Sequence, residues 1–132
     1  MPKELPPNTE IIYISEGGFA PSFFSIAISG GKMKVTDRPT GNAEKETVWE
    51  TKLNDDELKN LYGIFVENKF DLIRPNEPSE VADGKSRSIE LKFGGKQFYA
   101  VIGDGIKTTQ NHAERFRNIE NAIESLVKNY GK

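Results

Sequence analysis

The side chains that could carry chemistry in this chain are few. Its 132 residues include no cysteine and one histidine, His112. That excludes disulfides, thiolate nucleophiles, Cys-ligated zinc and every motif built on a histidine pair. His112 has no acid or nucleophile beside it at a useful spacing. It is placed just inside an expected helix N-terminus and reads as a solvated helix residue and not as a base. Asp55, Asp56 and Glu57 form an acidic run. Paired carboxylates can bind a metal or exchange protons, but acids in the first turn of a helix also simply complement its dipole, and that reading is preferred. Gly103-Asp104-Gly105 lacks the third glycine, the immediate helix and the parallel sheet that a dinucleotide fingerprint needs, and reads as a turn. The sequence has no Gly-x-Ser-x-Gly elbow, no phosphate-binding loop and no EF-hand. No cofactor and no metal are implied, and the expectation is a protein that is not an enzyme.

Charge narrows the partners. Eighteen Lys and Arg against 20 Asp and Glu leave a net charge of -2, the wrong balance for a dedicated nucleic-acid binder. Phe23, Tyr99 and Tyr13 are candidate stacking aromatics for an exposed sheet face, but aromatics on sheets more often pack. One segment stands out: Ser15-Glu16-Gly17-Gly18-Phe19-Ala20-Pro21. A strand runs into two glycines, which permit unusual backbone angles and close approach, then an aromatic suited to anchoring a partner, then a proline. Gly17, Gly18, Phe19, Ala20 and Pro21 are therefore the candidate partner-binding residues. The competing reading is a wide turn with Phe19 folded back into the core.

The elements that must position this segment follow from periodicity. Residues 11–14 form a β-branched strand, and residues 22–29 a second, with Phe24, Ile26 and Ile28 on one face. Gly30-Gly31 supplies a two-residue turn into a strand over residues 32–37. The register it sets pairs Ile28 with Met33 and Ile26 with Val35 on a dry face, and Ala27 with Lys34 and Ser25 with Thr36 on a wet one. Residues 46–52 make a fourth strand that puts Trp49 in the core. Asn54 caps a helix in a capping box with Glu57, and Leu58, Leu61, Tyr62 and Phe65 are its apolar stripe. Asn68 stops it, and Phe70, Leu72 and Ile73 continue as an extended apolar tail. Residues 74–86, with two prolines and a glycine, are the longest polar connection and a second candidate binding surface. Gly94-Gly95 closes another hairpin, pairing Leu91 with Phe98 and Ile89 with Ala100. Asn111 then caps a long helix with Phe116, Ile119, Ile123, Leu126, Val127 and Tyr130 as its stripe.

With 36% apolar and 29% charged residues, the chain can bury a core. The proline-rich residues 1–9 read as a flexible, solvated leader, and residues 10–132 as one domain. The order of elements lacks parallel β-α-β alternation. It predicts an α+β fold: one antiparallel sheet of about six strands with both helices packed on one face. No apolar run approaches the roughly 18 residues of a membrane span. Two compartments fit: a cytoplasmic protein, or a secreted or envelope domain without its signal.

The segment Ser-x-Gly-Gly-Phe-Ala at Ser15, Gly17, Gly18, Phe19 and Ala20, the helix entry over residues 53–61 and Phe70-Asp71-Leu72 together resemble emfourin. The resemblance extends as an order of elements over residues 11–130. Emfourin is a small bacterial inhibitor of protealysin, a thermolysin-like metalloprotease. The resemblance implies a non-catalytic protein-binding module whose partner is a metalloprotease. The same layout is also similar to small bacterial envelope domains, often lipoproteins, which implies a structural or assembly role.

Overall fold

A computed structural model describes residues 2–17, 22–38, 45–73, 86–103 and 110–130. Among them six strands form one sheet: β1 (Glu10–Gly17), β2 (Ser22–Ser29), β3 (Lys32–Arg38), β4 (Thr47–Lys52), β5 (Ser86–Phe93) and β6 (Lys96–Gly103). The order across the sheet is β4-β3-β2-β1-β5-β6, and every pairing is antiparallel. Two helices, α1 (Asp55–Glu67) and α2 (Gln110–Tyr130), complete the α+β fold.

The glycine pairs set the register. Gly30 and Gly31 have φ of 57° and 74°, and Gly94 and Gly95 have 52° and 77°. Positive φ at both central positions is what a type I′ turn requires, and its twist matches that of the flanking strands. Met33 therefore faces Ile28, Val35 faces Ile26, Phe98 faces Leu91 and Ala100 faces Ile89, as the alternation predicts. A slip of one residue would turn all of these side chains into water. The opposite end of β4 is tied to the first hairpin by the Leu53 amide, which donates to the Gly31 carbonyl at 2.8 Å.

One sheet face is dry. Ile11, Ile26, Met33, Ile89, Leu91 and Ala100 are wholly buried there, in one cluster with Phe65 from α1 and Phe116, Ile119 and Ile123 from α2. Both helices thus cover the same face. Each such large apolar side chain contributes about 2 kcal/mol on burial, so this layer is the main source of stability. Trp49 belongs to the same face but lies at its margin. It is half-buried, packed on the core beside Phe24 and Val127 and open to solvent on one side.

Several local expectations change. The capping box at α1 is only half made. Asn54 accepts from the Asp56 amide at 2.7 Å, but Glu57 does not reach back to the Asn54 N–H. Tyr130, at the end of α2, takes that place: its hydroxyl accepts from the Asn54 amide at 3.3 Å and donates to the Glu57 carboxylate. The tail after α1 is not extended. Lys69 adopts a left-handed conformation with φ of 49°, and residues Phe70–Leu72 form a 3-10 turn. That turn buries Phe70 and Ile73 but leaves Leu72 53% exposed. Asn111 is the second residue of α2, not its cap, because the helix begins at Gln110. Tyr13 is on the dry face and 2% exposed, so it offers no stacking surface.

Residues preceding β1 make specific contacts. The Tyr62 hydroxyl donates to the Pro2 carbonyl at 2.7 Å, Leu5 packs on the core, and buried Thr9 donates to the Pro6 carbonyl at 2.7 Å.

Candidate partner-binding rim

The strand pairings sort the connections by end. At one end of the sheet are the two glycine turns and the entry to α1. At the other, Gly17 pairs with Ser22, Asp37 with Thr47, and Ser86 with Gly103, so the connections 18–21, 39–46, 74–85 and 104–109 all meet the sheet there. The sequence motif is split by this boundary. β1 runs through Gly17, longer than the 11–14 strand expected, because Ser15 and Glu16 pair on both sides, with Phe24 and Phe23 of β2 and with Arg87 and Ser86 of β5. Gly17 is thus a strand residue. Gly18, Phe19, Ala20 and Pro21 lie outside the described residues, as does the 74–85 part of the second candidate surface.

The platform beneath that end is well defined. On the open face the last row across the sheet reads Arg38, Phe23, Glu16, Ser86, Gly103. The Arg38 guanidinium stands over the Phe23 ring, 5.5 Å from its centre, and Arg38 Nη2 lies 3.3 Å from Glu46 Oε2. A cation held over an aromatic face and against a carboxylate fixes both side chains.

On the dry face the platform is pinned by a buried polar cluster. Tyr13 from β1 donates its hydroxyl proton to Glu120 Oε2 of α2 at 2.7 Å. Arg87 Nε, from the second residue of β5, lies 2.9 Å from the same oxygen as a charge contact, without the alignment of a hydrogen bond. Glu120 is 6% exposed, and a buried carboxylate persists only if paired and hydrogen-bonded. Burial pushes the Tyr13 hydroxyl pKa well up, the hydrogen bond to Glu120 and the charges of Glu120 and Glu124 raise it further, and Arg87 opposes them. Phe24 of β2 packs edge-on against the Tyr13 ring at 6.4 Å and 72°. The strands on either side of residues 18–21 are therefore locked to each other and to α2.

This cluster has a sequence signal in phase, not in motif. Glu120 falls in the buried stripe beside Phe116, Ile119 and Ile123, and Arg87 falls in phase with Ile89 and Leu91. Opposite charges at dry positions of two elements point to a buried pair.

The acidic run does not assemble a metal site. Asp55 and Asp56 are exposed and Glu57 is engaged by Tyr130. Among the described residues no group of three or more His, Asp or Glu side chains converges to hold a metal ion, and no helix is long and apolar enough to cross a membrane. His112 is half-buried in the first turn of α2. Compared with known protein families and with characterised proteins, the chain matches none.

Proposed function

We propose that this chain is a non-catalytic protein-binding module, in its sharpest form an emfourin-like inhibitor of a thermolysin-like metalloprotease. The observation that carries the reading is the gathering of the long connections at one end of a sheet whose strands are held by Tyr13, Arg87 and Glu120. A loop whose ends are fixed loses little ordering entropy on association, so more of its contact energy appears as affinity. Gly17, Gly18, Phe19, Ala20 and Pro21 form the proposed contact, with Phe19 as the anchor. The motif that resembles emfourin is the same segment.

The test is a titration of thermolysin-like metalloproteases, including one from the source organism, with the purified chain. Activity should fall linearly and vanish near about one equivalent, as for a tight complex. Phe19→Ala should raise the inhibition constant by about tenfold or more while leaving the circular dichroism spectrum unchanged. Full protease activity across the panel at excess protein would overturn the reading.

A further inference from the structure

The two edges of the sheet differ in how they are guarded. Edge strands expose unpaired backbone N–H and C=O groups, and proteins blunt them with charge, proline or a bulge. β4 carries Glu50 and Lys52, and Glu50 is also drawn to Lys32 at 3.9 Å. β6 has no charge between Lys96 and Gly103, no proline and regular pairing to β5 along its whole length. Among the described residues none pairs with its outer side. Its dry face is anchored by Ala100 and Ile102, both buried, while Tyr99 on the other face is 55% exposed. The strand is therefore held straight and ready to pair.

We propose that β6 is an interface between two copies of this chain, joined antiparallel about a two-fold axis at Ala100. The sequence of β6 is complementary to itself in this register. Phe98 then stands opposite Ile102 of the second copy on the dry side, Tyr99 stands opposite Val101 on the open side, and Gln97 meets Gly103. Aromatic against β-branched is among the cross-strand pairings that stabilise sheets, and no charge meets an apolar residue. Moving the axis to Tyr99 would set Lys96 against Ile102 and Gln97 against Val101. A closed two-fold contact also uses up the free edge, leaving the guarded β4 at both ends of a continuous sheet. The interface stands whichever partner the loop-bearing rim takes.

The experiment is sedimentation velocity on the full chain across a wide concentration range. The expected result is a reversible monomer–dimer equilibrium. Val101→Lys and Tyr99→Glu each point to the open face, and each alone should weaken the dimer by about tenfold or more. An equimolar mixture of the two variants should recover a heterodimer, because the register puts the introduced lysine opposite the introduced glutamate. A mixture of Tyr99→Cys and Val101→Cys should likewise give a hetero-disulfide under mild oxidation, in a chain with no other cysteine. A wild-type chain that stays monomeric throughout overturns the proposal. So does a dimer that survives both charged variants, or variants that do not complement each other.

Discussion

Replacing Glu120 with alanine isolates the buried cluster that ties β1 and β5 to α2. The Tyr13 hydroxyl, at 2% exposure, would lose its acceptor. An orphaned buried donor costs about 1–3 kcal/mol. Arg87 has a third of its side chain in solvent and can turn outward, so its loss adds at most about 1 kcal/mol. Glu120→Ala should therefore cost about 1–4 kcal/mol, a fall in Tm on the order of 10 °C for a domain of this size. Glu120→Gln keeps an acceptor for Tyr13 and should cost about half as much. The decisive assay is a double-mutant cycle by urea unfolding. Tyr13→Phe should cost about 1 kcal/mol in the wild type but restore about 1 kcal/mol or more in the Glu120→Ala background, where it removes an unpaired buried hydroxyl. Equal costs of Tyr13→Phe in both backgrounds, with Glu120→Ala below about 1 kcal/mol, would refute the reasoning.

Two further outcomes follow from backbone and proton accounting. Gly63 lies within α1, and a Cβ added there meets nothing within 4 Å, whereas Gly31 holds a φ of 74°. Gly63→Ala should raise stability by about 0.5–1 kcal/mol in a denaturant melt, and Gly31→Ala should lower it by about 1 kcal/mol or more. Tyr13 holds its proton more tightly folded than unfolded, so nothing changes below the unfolded tyrosine value near 10, and stability falls as pH rises above it. Melts between pH 9 and pH 11.5, chosen to bracket that value, should show a loss of up to about 1.4 kcal/mol per pH unit that Tyr13→Phe removes.

The layer architecture was legible because three independent signals agreed: alternation in the strands, the 3.6-residue stripe in the helices and glycine pairs at both hairpin tips. The register of each hairpin followed from its turn to the residue. Failures came where a distant side chain overrode a local preference. Local spacing gives Glu57 to its own helix end, yet Tyr130, 73 residues away in sequence, holds it instead. Phe70 and Ile73 could both be buried only by a tight turn, which Lys69 makes in a conformation that its residue type does not advertise. Tyr13 alternates in phase with Ile11, so its burial is readable and agrees with the preference of sheet aromatics for packing. The Glu120–Arg87 pair was hidden. Charges on apolar stripes look like errors in the pattern until both are seen to face the same layer.

The separation of tight turns from long connections has a practical side. At the glycine end one inserted residue would shift a strand by one position and invert its faces. At the other end the chain leaves paired strands whose alignment is already fixed elsewhere, and lengthening a loop adds only slowly to its closure entropy. Foreign peptides grafted into residues 39–44 or 104–109 should therefore leave the domain folded, which makes it a frame on which new specificities can be selected.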